Sequence, residues 1–202
     1  MINILNDRFS MYNNFEIIKQ DVLKVDLNSL IKENNFKTTK IVANLPYYIT
    51  TPIIMKLLEE KLDITSITVM IQKEVADRLT AIPGEKNSGA ITHAVYYYAT
   101  SQEILTVPNT SFIPEPEVES EVIKLTLRQE PPIKIENEKK FFELIKVAFM
   151  QRRKTLLNAV SNSSIGISKE KMEKVLQELE IDSKIRGETL TIEQFADIVQ
   201  KI

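Results

Sequence analysis

Two adjacent prolines, Pro131-Pro132, split the 202-residue chain into parts of different periodicity. Ahead of them, short apolar runs alternate with helix-spaced apolar residues. Beyond them the spacing is helical throughout. Short strands alternating with helices require a sheet with helices packed on it, so the first part reads as α/β and the second as a small all-α unit. Glu130-Pro131-Pro132 is the predicted linker, dividing the chain into 1–130 and 131–202.

In the first part, strands are predicted at Phe15-Glu16-Ile17-Ile18-Lys19, at Lys40-Ile41-Val42-Ala43, and over residues 66–72, 104–107 and 122–127. Helices are predicted over 1–11 and over 27–35, the latter capped by Asp26. Another starts near Pro52, with Ile53, Ile54, Leu57 and Leu58 as its apolar face. A further helix covers 73–81, with Lys73/Asp77 and Glu74/Arg78 four residues apart on a solvated face, and one more covers 90–99. In the second part the pattern predicts one continuous helix over 138–161, a second over 168–180 and a third from Thr191, where Gln194 completes a capping box.

Cysteine is absent and His93 is the only histidine. This excludes disulfides, thiolate nucleophiles and Cys- or His-rich metal sites. His93 is expected on a helix surface, with no nucleophile-elbow pattern to make it part of a relay. No apolar run is long enough to span a membrane, and no basic-then-apolar signal opens the chain, so a cytoplasmic protein without membrane or metal partners is expected. The net charge is −2, so any affinity for nucleic acid must come from local patches rather than the overall field.

The chemistry concentrates in Asn44-Leu45-Pro46-Tyr47-Tyr48. Pro46 cannot extend a ladder, so the Ile41 strand must stop there. An amide, newly unpaired carbonyls and two aromatic rings then lie at a strand's carboxyl end, where open α/β sheets bind ligands. Taken alone the segment suits either an ordinary strand-to-helix turn with surface tyrosines or a site for a flat base carrying an exocyclic amine. The N6 lone pair of adenine is delocalised into the ring and is a poor nucleophile. Two acceptors, the Asn44 side-chain oxygen and the Leu45 carbonyl, pull that nitrogen toward tetrahedral geometry and stabilise its developing positive charge. Tyr47 stacks on the base, worth roughly 1–3 kcal/mol. An electrophile held in line completes the reaction without a prior general base. Further on, Gln151-Arg152-Arg153-Lys154 places three cations around a predicted helix, which suits either a solvated surface or phosphate contact.

Four segments in this order and spacing carry a resemblance: Asn44-Leu45-Pro46-Tyr47-Tyr48, Gln72-Lys73-Glu74-Val75-Ala76, Phe112-Ile113-Pro114 and Gln151-Arg152-Arg153-Lys154-Thr155-Leu156-Leu157-Asn158. Together they resemble the KsgA/RsmA-type small-subunit ribosomal RNA adenine dimethyltransferases. The resemblance implies a Rossmann-like methyltransferase sheet, S-adenosylmethionine as cofactor, and N6-dimethylation of two adjacent adenosines in the 3′-terminal hairpin of small-subunit rRNA. It implies that Asn44 and Leu45 bind N6, with Pro46 in the same turn, that Tyr47 and Phe112 enclose the base, and that Asp21 and Asn44 face the cofactor; from the residues alone Asp21 suits a turn-forming role equally well. It also implies that Arg152, Arg153 and Lys154 contact rRNA from a C-terminal docking domain. Extrusion of the base is expected of an enzyme that alkylates its edge. Two other readings stay open: a non-catalytic RNA-binding ribosome-assembly factor, and a large-subunit rRNA adenine methyltransferase of the antibiotic-resistance type.

Members of that family carry an N-terminal strand, a Gly-rich loop and a second strand ending in an acid. Here the four glycines are Gly84, Gly89, Gly166 and Gly187, none ahead of Asp21. The expectation is a chain without the first two βα units and a Rossmann-like sheet lacking two strands. The Ile41 strand is then left with an unpaired edge, and cofactor affinity is weak. Association through that edge, or displacement of roughly the first 35 residues, is expected to follow.

Overall fold

The computed structural model describes residues 2–34 and 36–202. Four strands form one sheet: β1 (Lys40–Asn44), β2 (Ser66–Gln72), β3 (Ala99–Val107) and β4 (Ser120–Leu127), in the order β1-β2-β4-β3. β1 and β2 are parallel; β4 runs antiparallel to both β2 and β3. β2 is the hydrophobic spine, with Ile67, Val69 and Ile71 fully buried. Each such side chain contributes about 1.5–3 kcal/mol by leaving water.

Helices α1 (Ile2–Phe9) and α2 (Leu27–Glu33) precede the sheet. The Asp26 carboxylate caps α2 by accepting from the Ser29 N–H at 3.0 Å. The predicted end of α2 at Asn35, like Met1 at the start of α1, lies outside the described residues. α3 (Thr50–Glu59), α4 (Lys73–Thr80) and α5 (Ala90–Tyr98) cover the sheet, burying Ile54, Leu58, Leu79, Ala94 and Val95 against it. Both predicted ion pairs on α4 form, Lys73 with Asp77 and Arg78 with Glu74.

A second core gathers Phe141, Leu144 and Ile145 of α6 (Glu138–Met150), Leu156 of α7 (Leu156–Ser161), Met172 and Leu176 of α8 (Lys169–Glu178), and Phe195 and Ile198 of α9 (Ile192–Lys201). Thr191 caps α9 in the expected box with Gln194. α5 supplies Tyr97 to this second core and Ala94 and Val95 to the first. Glu138 ties the two together by accepting from the Tyr97 and Tyr98 hydroxyls, each at 3.3 Å.

Four expectations are corrected. Residues 15–19 are not a strand; among the described residues they have no ladder partner. The Phe15 ring stacks on Phe9 at 4.4 Å instead. Apolar content makes a strand only where a neighbour accepts its backbone hydrogen bonds. β3 begins at Ala99, directly out of α5, rather than at 104, because residues 99–103 pair with residues 123–127 of β4. The helix over 138–161 is broken. Gln151 leaves helical geometry (φ −125°, ψ 50°), and Thr155 is bridged to Arg186 while the Leu156 N–H donates to the Ile185 carbonyl at 2.8 Å. That tertiary contact turns Thr155 into the N-cap of α7.

The fourth correction is His93, which is fully buried. α5 is covered all round, so its polar positions do not mark a solvent face. The His93 ring packs edge-on to Phe195 at 5.2 Å, and its Nδ1 donates to the Gly89 carbonyl at 3.0 Å. Burial holds the imidazole below its ordinary 6.5, with the Gly89 carbonyl opposing. The unfolded chain therefore binds the proton more readily. The contribution to stability is complete above 6.5 and falls as pH drops from there toward the folded-state value. Thermal midpoints taken from about pH 7.5 down to 5.5 should fall more steeply for the parent than for His93→Leu; parallel curves would contradict the assignment.

β1 pairs with β2 on one side and, among the described residues, with nothing on the other. This is the open edge expected from the sequence. Its residues alternate, with Ile41 and Ala43 toward the core and Lys40, Val42 and Asn44 on the open face. Val42 is 79% exposed. No helix of the described residues is long and apolar enough to cross a membrane.

Candidate active site

β1 and β2 end side by side. Asn44 pairs with Met70, and the Leu45 N–H donates the last bond, to the Met70 carbonyl at 3.2 Å. Pro46 ends the ladder, as its missing N–H requires. Tyr47–Ile49 then form one 3₁₀ turn, closed on the Pro46 carbonyl by the Ile49 N–H at 3.1 Å and the Thr50 hydroxyl at 3.1 Å. The next turn is already α3.

The two acceptors the chemistry needs are left over. Among the described residues, no hydrogen bond is made to the Leu45 carbonyl or by the Asn44 side chain. Asn44 is exposed. Leu45 is held by its bonded N–H and by its buried side chain, so its carbonyl is fixed in direction. Fixed acceptors cost no reorganisation when charge develops on a bound amine.

Tyr47 is 36% exposed, and its hydroxyl lies 2.7 Å from the Ser120 hydroxyl, 73 residues away. Tyr48 is 85% exposed. Ser120 opens β4, opposite Gln72 of β2 and Val107 of β3. The β3–β4 connection therefore hangs from the end of the sheet that carries the Asn44 turn. Phe112 sits on that connection, half-buried, after a 3₁₀ turn over Asn109–Ser111. At the same end Lys73 lies 3.1 Å from both Asp77 and the buried Glu121. Their carboxylates, Asp77 foremost, hold its ammonium well above the usual lysine range, so Lys73 stays cationic and is no general base.

A cleft of about 620 Å³ opens at the opposite end of the sheet, beside Leu57, Tyr98, Arg128 and Glu138. The Glu138 carboxylate there is already taken by Lys61 and the two tyrosines. Volume favours that cleft, but free chemical groups favour the Asn44 turn.

The family model for ribosomal RNA adenine dimethylases matches residues 1–202. The chain belongs to that family. A ribosomal RNA small subunit methyltransferase A from Bacillus pumilus is 50% identical over 208 residues, covering 100% of this chain and 71% of the relative. One from a Geobacillus species is 52% identical over 200 residues, covering 97% of this chain and 69% of the relative. Among solved structures, a dimethyladenosine transferase from Plasmodium falciparum superposes with a TM-score of 0.78 at 23% identity, covering 99% of this chain and 77% of that one. The 23S rRNA methyltransferase ErmE superposes at 0.65 with 18% identity, covering 98% and 76%. At those identities the two structures speak for the fold alone.

The other residues singled out for this dimethylase-family chain are placed as follows. The Asp21 carboxylate closes a turn by accepting from the Leu23 N–H at 3.0 Å. Gln151, Arg152, Arg153 and Lys154 form the turn between α6 and α7 rather than a helical face. Arg152 is engaged within the fold: its guanidinium donates to the Ser88 carbonyl, lies 3.5 Å from Glu188 and covers the Phe149 ring at 5.6 Å. Arg153 and Lys154 are exposed and form no ion pair among the described residues. Sequence reasoning did not reach Ser120. Its partner is 73 positions away, and no local pattern marks a serine at the head of a strand.

Proposed function

We propose that the protein transfers methyl groups from S-adenosylmethionine to N6 of two adjacent adenosines near the 3′ end of small-subunit ribosomal RNA. The observation that carries this reading is the pair of adjacent, unbonded acceptors at Asn44 and Leu45, held at the carboxyl end of β1 beside the Tyr47 ring. The base lies with N6 between the Asn44 oxygen and the Leu45 carbonyl, stacked on Tyr47, with Phe112 closing from the β3–β4 connection. Bonding the N6 hydrogens, two in the first transfer and one in the second, frees the lone pair for attack; the acceptors stabilise the ammonium that forms, which then loses its proton to water. S-adenosylmethionine would supply an electrophilic methyl on its sulfonium; Asn44 and Asp21 are the residues here that would face it, Asp21 from the turn its carboxylate closes. The unit over 131–202 docks rRNA, with the cations of the 151–154 turn on phosphates and Arg152 also bracing that turn.

The test is transfer of labelled methyl to small and to large ribosomal subunits lacking the modification, with mass spectrometry of each RNA. Dimethyladenosine at two adjacent positions is expected, with transfer saturating only at high donor concentration. Label confined to large-subunit RNA would move the protein to the other class. RNA binding with no label at any donor concentration would favour an assembly factor.

A further inference from the structure

We infer that Ser120 is a positioning residue for the reaction: its hydroxyl pins the Tyr47 phenol across the end of β2 and so fixes the position of the ring on which the base stacks. This rests on the reading of the Asn44 turn as the base site.

The bond between the two hydroxyls, at 2.7 Å, joins residues 73 apart in sequence. Ser120 is fully buried and sits in the three-strand register Val107–Ser120–Gln72. Its neighbours are fastened too: the Lys73 N–H donates to the Glu119 carbonyl at 3.0 Å, and Glu121 is paired with the Lys73 ammonium. Ser120 is therefore a fixed post. Among the described residues no other hydrogen bond holds the Tyr47 side chain. The residue sits in a single 3₁₀ turn without a side-chain cap, and about a third of its surface is open. A phenol held at its tip loses rotation about χ1, which fixes where the ring lies. The hydroxyl stands on the χ2 axis, so the plane is biased only by the preference of a phenolic hydrogen bond for the ring plane, and a ring face stays free. Satisfying the hydroxyl within the protein also leaves the π-face, rather than a competing donor, as what the base meets. The Leu45 carbonyl is only two residues from this ring, so fixing the ring's position places the stacked base relative to the amine acceptors. A small misplacement of reacting groups can cost up to about a hundredfold in rate.

The role predicts a split that a merely structural serine does not give. Ser120→Ala and Tyr47→Phe should each lower kcat for methyl transfer by on the order of 10-fold, with KM for the ribosomal subunit held within about twofold. The double variant should be no worse than either single one, because both remove the same bond. Ser120→Thr, which keeps a hydroxyl, should restore most of the rate. Multiplying effects in the double variant, or full activity in Tyr47→Phe beside an impaired Ser120→Ala, overturns the proposal.

A second measurement does not depend on activity. In protein labelled with 3-fluorotyrosine, the ¹⁹F resonance missing from Tyr47→Phe identifies Tyr47. That resonance should shift and narrow in Ser120→Ala while those of Tyr97 and Tyr98 stay put. An unmoved Tyr47 signal overturns the anchoring. A moved signal in a protein that methylates no RNA keeps the anchor and rejects the function proposed above.

Discussion

Asn44→Ala is expected to lower kcat for methyl transfer by on the order of 10²–10³-fold while leaving RNA affinity within about twofold. The side chain makes no hydrogen bond within the described protein and stands exposed at the end of β1, so its removal costs the fold little. Its oxygen is one of two acceptors for the amine that becomes cationic during transfer. That interaction strengthens as charge develops, and losing it falls on the chemical step. The contrasting change is Arg153→Ala with Lys154→Ala. Those cations touch no reacting atom, so the pair should weaken RNA binding and reduce the salt slope by about 2. Filter binding over a salt series, beside single-turnover transfer, separates the two. Equal loss of binding in both variants would contradict the roles given to them.

Gly187→Ala is expected to destabilise the protein by about 1–3 kcal/mol. Gly187 lies where the 3₁₀ turn Gly187–Thr189 presses on α6; a Cβ there meets the Ala148 Cβ at 2.4 Å and its Cα at 3.1 Å. The obstacle is the body of a helix, so backbone must move. The displaced segment also carries Glu188, the partner of Arg152, and follows Arg186, which bridges to Thr155. The clash therefore reaches the turn that presents Arg153 and Lys154. For a chain of this size the thermal midpoint should fall by about 2–4 °C per kcal/mol. Adding Ala148→Gly should restore part of the loss, although glycine in a helix itself costs about 1 kcal/mol. A midpoint unchanged in Gly187→Ala would show that the contact yields freely.

The residues at these two positions differ in how far they could be foreseen. Asn44 is legible, because an amide beside Pro46 and two tyrosines stands at the end of an apolar run, where open α/β sheets bind ligands. Gly187 carries no such signal, since a close approach between a turn and a helix about forty positions away leaves no local pattern. Arg152 shows the same divide. As a letter it is one of three adjacent cations, whereas in the fold it spans to Ser88 and Glu188 and braces the turn.

What the sequence determined by itself is whatever acts over a few residues. The order of α/β then α, the stop at Pro46, the caps at Asp26 and Thr191, and the ion pairs of α4 follow from periodicity, a missing N–H and side chains reaching three or four positions. Tertiary structure decided the rest. It broke the helix at 151–155 through the Thr155–Arg186 bridge, started β3 at Ala99 by pairing it with Leu127, and left residues 15–19 without a ladder. It buried His93 against Phe149 and Phe195 of the second core and brought Ser120 to Tyr47. In each case a distant segment supplies or withholds the hydrogen-bond partner or the covering surface, and local propensity is too weak, at a few tenths of a kcal/mol per residue, to prevail against it.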